Sequence, residues 1–332
     1  MQLDQLHRRK FITLLGGAVA SWPLAARAQQ PAMPVIGLLS AASPDADKFR
    51  IDALRRGLSE VSFMEGQNFV FEYRWVDGQY DRFPALLTDL VRRQVSVIVS
   101  LGGTPGALAA KAATKTIPIV FQVGIDPVAA GLVDSLNRPG GNITGVSQLL
   151  TATVPKQLEL LHEVVPSARA IAVLLNPTNA LYPEAVRDLQ AAARTLGPQL
   201  HFVHGSAQAD LDTVFGRLPD LGVRALVIGP DLYFLSRRDQ LIALAARQSL
   251  PAIYPWREGA ISGGLMSYGS SQTDTYRQVG IYAGRILKGD KPADLPVQQS
   301  SKIELILNLK TAKALGIDFP ITVLGRADEV IE

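Results

Sequence analysis

Eight residues with binding chemistry follow apolar runs in this chain. Ser40 and Ser43 follow VIGLLS, Gly103 and Thr104 follow VIVSLG, and Asp126 follows IPIVFQVGI. Asn176 and Asn179 follow AIAVLL, and Asp231 follows ALVIGP. Their types suit a zwitterion. Bare backbone N–H groups at Gly103 and the hydroxyls of Ser40, Ser43 and Thr104 suit a carboxylate, and a helix N-terminus there favours an anion. Asp126 or Asp231 suits an ammonium. Tyr254, Trp256 and Tyr268 are candidates for aromatic walls. Each of these residues also has a plain structural use, since Ser, Asn and Asp cap helices and shape turns. Their recurrence at the same edge favours a site.

Other chemistries lack their residues. GGTPG has no following Lys at phosphate-loop spacing, and no G-x-G-x-x-G follows a strand, so nucleotide use has little support. No G-x-S-x-G occurs. His201 and His204 fall on opposite faces of a strand, and His162 stands alone, which argues against a metal. Glu72 with Asp77, and Asp45 with Asp47, read as solvated turns and caps. Trp75 and Tyr80 flank a turn, where they either reach a cleft rim or pack. The chain has no cysteine, which excludes disulfides, thiolate metal sites and cysteine nucleophiles. No cofactor is indicated.

The elements that must hold these residues alternate strand and helix. Val97 to Ser100 and Ile117 to Val123 read as strands buried on both faces, joined through the alanine-rich helix Ala107 to Lys115 with Thr104 as a cap. Such a unit has parallel strands and a right-handed crossover. The same grammar recurs in two tandem arrays, near 34–146 and near 147–262. A short helix is expected over 129–136. The remaining segments are too few for a third domain and are expected to cross back and complete two lobes. In doubly wound sheets, ligands meet the carboxyl ends of the strands at the switch point of strand order. Two facing lobes would bring two such edges to one cleft.

At 332 residues the chain has room for about two domains. Its net charge of +3 comes largely from Arg8, Arg9, Lys10 and Arg27, opposed there only by Asp4. Without those five residues, basic and acidic side chains balance at 29 each. The body therefore carries no basic footprint for nucleic acid. Residues 1–28 read as a cleaved, twin-arginine-like export signal, with Arg8-Arg9, a short apolar core and the small-x-small site Ala26-Arg27-Ala28. That apolar run is too short to span a bilayer. The mature protein is expected to be periplasmic and soluble.

Several stretches together resemble one family: PVIGLLS, GGTPGALAAKAATKTIPIVF, SLNRPGGNITGVS, RRDQLIALAARQSLPAIYPWREGA, GGLMSYG and YRQVGIYAGRILKGDKPADLPVQQ. The chain is similar to the tryptophan-type substrate-binding proteins of ABC transporters, over essentially its whole length. That resemblance implies the type I periplasmic-binding fold, two doubly wound parallel-sheet α/β lobes joined by a multi-strand hinge. It places lobe 1 at 34–146 plus about 266–298, and lobe 2 at 147–265 plus about 299–332. It implies capture of a small solute by hinge closure, an amino acid (aromatic in members with assigned ligands) or a related carboxylate. It further implies a monomer, delivery to an inner-membrane permease with a cytoplasmic ATPase, and no catalysis. Its cleft loops fall on Ser40, Thr104, Asp126, Asn176 and Asp231. The signal lacks the lipid-anchoring cysteine common among Gram-positive relatives. A ligand-sensing module for a membrane receptor and an exported α/β enzyme are the alternative readings.

Overall fold

A computed structural model describes residues 33–332 apart from 149, 180 and 207; the expected export signal lies outside these residues. The first five strands are β1 (Val35–Ser40), β2 (Val70–Trp75), β3 (Val97–Leu101), β4 (Ile119–Val123) and β5 (Ile143–Ser147). Three helices lie between them, α1 (Pro44–Glu60), α2 (Phe83–Arg92) and α3 (Gly103–Ala113). A second array follows: α4 (Leu150–Val164), β6 (Ala170–Leu175), α5 (Tyr182–Leu196), β7 (Gln199–His204), α6 (Gln208–Arg217), β8 (Ala225–Ile228), α7 (Leu232–Ser236), α8 (Arg238–Arg247), β9 (Ala252–Tyr254), α9 (Arg257–Ile261) and β10 (Met266–Ser270). The chain ends with α10 (Gln272–Leu287), β11 (Gln298–Gln299), β12 (Ile303–Asn308), α11 (Leu309–Ala314), α12 (Ile321–Leu324) and β13 (Glu329–Ile331).

The strands form a six-stranded sheet, β11-β5-β4-β3-β1-β2, and a seven-stranded sheet, β13-β12-β10-β9-β8-β6-β7. Every strand pair is parallel except β10 with β12. Taken by order of appearance, each sheet runs second, first, third, fourth, fifth. Each therefore reverses direction between its first and third strands, which opens a crevice at their carboxyl ends.

Successive strand residues alternate between two apolar cores. In β1, Ile36 and Leu38 join one cluster and Leu39 the other. In β6, Ile171, Val173 and Leu175 face one side and Ala172 and Leu174 the other. Both faces of each sheet are thus covered, as a parallel sheet requires.

The chain crosses between the sheets three times, after β5, after β10 and after β11. The expected return to the first lobe near 266 falls later, because Met266–Ser270 pairs with β9 and β12 in the second sheet. Helix α10 begins the return and lies along α1. Two glycines let the helices approach: a Cβ on Gly57 would sit 1.8 Å from the Arg277 carbonyl oxygen, and one on Gly280 2.1 Å from that of Leu54.

The expected helix over 129–136 is not formed. Gly131 adopts φ +69, outside the helical region, and the Asp126 carboxylate accepts from the N–H groups of Val128 (2.8 Å) and Ala129 (3.3 Å), fixing a turn. Among the described residues, no helix is long and apolar enough to cross a membrane.

Candidate functional site

The carboxyl edges of both sheets meet at a cavity of about 210 Å³. The first lobe contributes Gly102 to Pro105 after β3, Gly124 and Ile125 after β4, and Tyr80 after β2. The second contributes Asn176, Thr178 and Asn179 after β6, and Pro230 to Leu232 after β8. Gln122, Gln148, Gln272 and Tyr276 add a polar wall beside Trp256.

The first-lobe edge offers neutral donors. Helix α3 starts at Gly103 with Gly102 as its N-cap and no side-chain cap, so Thr104 lies inside the first turn rather than capping it. Gly103 holds φ +62, a conformation that favours glycine. The first N–H groups of this helix have no intrahelical acceptor, and the helix dipole adds partial positive charge there.

The second-lobe edge offers a carboxylate. Asp231 is 8 % exposed. Its Oδ1 accepts from the Tyr233 N–H at 2.8 Å, while Oδ2 accepts from Asn179 Nδ2 at 2.6 Å and Asn176 Nδ2 at 3.2 Å. Desolvation pushes its pKa above the ordinary value, although these hydrogen bonds oppose the shift. No Lys, Arg or His lines the cavity, and among the described residues Asp231 has no ion pair. The carboxylate thus lacks a cation of the protein's own.

Between the two edges runs an apolar contact. Phe49 and Ile125 of the first lobe pack on a cluster of Leu150, Leu181, Leu235 and Trp256. It gives the cavity one greasy side and one polar side.

Of the residues singled out by sequence, Gly103, Thr104, Asn176, Asn179, Asp231 and Trp256 line the cavity. The other five lie elsewhere. Ser40 is fully buried, with Oγ accepting from the Ala42 N–H at 3.1 Å. Ser43 accepts from Asp47 N–H through its carbonyl, in the turn before α1. Asp126 shapes its own turn. Tyr254 is buried in the second-lobe core, where a Cβ on Gly264 would sit 2.4 Å from its ring. Tyr268 packs on the other second-lobe cluster. Of the two aromatics flanking the turn after β2, Tyr80 reaches the cavity, stacked on Phe83 at 5.7 Å, while Trp75 donates to Asp47 instead (3.2 Å). Sequence reading missed the three glutamines. Gln122 sits in a strand run otherwise fully apolar, and a polar residue buried there was the available signal.

Two lobes of one strand order, with a cavity at their facing edges, define a two-lobe binding protein of the type I periplasmic-binding fold. The family model described as "ABC transporter substrate binding protein" matches residues 35–331, and the chain belongs to that family. A curated relative, the tyrosine-binding protein of Clostridioides difficile, is 27 % identical over 278 residues, 82 % of this chain and 78 % of the relative. A Streptococcus pneumonia ABC domain solved in complex with L-Trp superposes with TM-score 0.79 at 26 % identity, covering 90 % of this chain and 99 % of that one. A ligand-free, open substrate-binding protein from Clostridium difficile superposes with TM-score 0.66 at 25 % identity, with the same coverages.

Proposed function

We propose that this protein is the periplasmic solute-binding component of an ABC importer, and that it binds an amino acid between its lobes without altering it. The observation that carries the reading is Asp231, a desolvated carboxylate at the cavity wall with no protein cation beside it. A buried charge needs a partner, and a ligand ammonium would supply one. Across the cavity, the N-terminal N–H groups of α3 suit the ligand carboxylate, and the apolar cluster with Trp256 suits an apolar or aromatic side chain.

Contacts to both lobes select the closed form over the open one. The higher similarity to the L-Trp complex than to the ligand-free open protein, at nearly equal identity, supports a closed arrangement here. The monomeric closed form would then dock on a membrane permease served by a cytoplasmic ATPase. Export through residues 1–28 belongs to this reading.

Calorimetry on the purified chain, with L-tyrosine and L-tryptophan first and the other amino acids after, tests it. Binding that raises the thermal midpoint, with the solute recovered unchanged by chromatography, is the expected result. The reading fails if no amino acid binds, or if the recovered solute has been converted.

A further inference from the structure

The three glutamines of the cavity belong to a hydrogen-bond network that reaches every point where the chain passes between lobes. Gln148 follows β5 at the first crossing and is 1 % exposed. Its Oε1 accepts from Gln122 Nε2 at 3.2 Å and from Gln272 Nε2 at 3.3 Å. Its Nε2 donates to Thr275 Oγ1 at 2.8 Å. Thr275 Oγ1 lies 2.9 Å from the carbonyl oxygen of Ser271, the second crossing, and 3.1 Å from Ser300 Oγ at the third. Backbone bonds close the set: Ser300 N–H to Ser147 O and Ser271 N–H to Lys302 O, both 2.8 Å. Tyr276 Oη donates to Gln122 Oε1 at 3.2 Å, on the cavity side.

We infer that Gln148 is the positioning residue that makes the three crossings one hinge and lets a ligand at the cavity wall bias it. Three separate strands could each flex alone. Tied through Gln148 and Thr275 at their first-lobe ends, they share one fulcrum, and motion of the second lobe is confined to one axis. Gln122, Gln148, Gln272 and Tyr276 are at once cavity wall and hinge lock, so a solute touching that wall meets the lock directly. Of these glutamines only Gln272 leaves a buried atom, its Oε1, without a partner, and a buried network is specific to the extent that its members are satisfied. Removing the central amide strands the Nε2 groups of Gln122 and Gln272 and takes from Thr275 its link to the first crossing.

This inference rests on the hinge-closing reading above, and its test keeps the two apart. The chain has no cysteine, so spin labels can be placed at Gln79→Cys in the first lobe and Asp239→Cys in the second, both exposed. Interlobe distances are then measured without ligand and with L-tyrosine, L-tryptophan and then each other amino acid, in the labelled parent and with Gln148→Leu or Thr275→Val added. The parent is expected to show a narrow ligand-free distribution that shortens on binding. Both variants are expected to broaden the ligand-free distribution and to lower affinity at least fivefold, with circular dichroism unchanged. Should Gln148→Leu not fold, Thr275→Val, nearly isosteric, decides alone. A parent whose distance is single and indifferent to every amino acid overturns the hinge reading itself. A parent that closes, beside variants with its same widths and affinity, overturns only the role of Gln148.

Discussion

The two sheet edges that meet at the cavity share a strand order and differ in chemistry. The first-lobe edge is neutral: a glycine-opened helix N-terminus and a wall of amides. The second-lobe edge carries one carboxylate, Asp231, buried and braced by two asparagines. Equal topology therefore does not impose equal function on equivalent loops. Topology brings the loops to the cavity, and the side chains there then differ, neutral donors on one edge and a carboxylate on the other.

The largest expected effect is on the charged edge. Asp231→Asn should weaken amino-acid binding by about 2 kcal/mol or more, the scale for losing one partner of a buried charge pair, roughly 30-fold by calorimetry. In the ligand-free protein the same substitution removes a desolvated charge but sets an amide N–H against the Nδ2 donors of Asn176 and Asn179, so the thermal midpoint should not rise. An unchanged affinity would erase the distinction between the edges.

The next effect is a pH dependence with opposite signs for the two states. Asp231 titrates above the ordinary carboxylate range near pH 4 because it is desolvated. An ammonium needs the ionised form, so affinity should be constant at neutral pH and fall as pH drops through the raised value, approaching tenfold per unit. Without ligand the sign reverses. The folded state holds this proton more tightly than the unfolded chain, so the group's contribution to stability is full below about pH 4 and is lost as pH rises through the raised value. Glu258, also raised by desolvation, adds to that trend. Calorimetry and thermal melts across pH 4 to 8 check both halves, and Asp231→Asn should flatten the binding curve.

A smaller effect belongs to the neutral edge. Gly103→Ala forces an L-residue into φ +62, at about 1 kcal/mol. The helix N-terminus should shift, lowering affinity roughly fivefold. The smallest effect is expected at Asp126→Asn. Asn serves the same turn, so stability should change by less than about 0.5 kcal/mol, and affinity should be flat. A large loss of binding there would return the Asp126 side chain to the cavity.

Much of this was legible in the chain itself. Apolar runs bounded by Gly, Asn and Asp announce buried parallel strands and mark where their carboxyl ends lie, which is why Asp231 and Gly103 could be found. Asp126 sits at an equivalent edge position, yet its carboxylate turns back on the N–H groups of Val128 and Ala129, and only coordinates reveal that. Tyr254 invited an aromatic wall but ends a strand whose side chains face the core. The glutamines were hidden for a different reason. The partners of Gln148 include Thr275, 127 positions away, and no local pattern announces a contact of that range.

The docking of α10 beside α1 has a consequence for the order of assembly. A nascent chain emerging from the ribosome has all five principal strands of the first lobe long before it has the helix that covers them. Until Gln272–Leu287 arrives, the groove that Gly57 opens on α1 stays wet. The earlier lobe thus waits for a helix delivered only after β6 to β10 of the other lobe, and a long sequence separation of this kind slows folding. Loss of Gln272–Leu287 would therefore uncover a lobe whose five principal strands lie more than a hundred positions earlier in the chain.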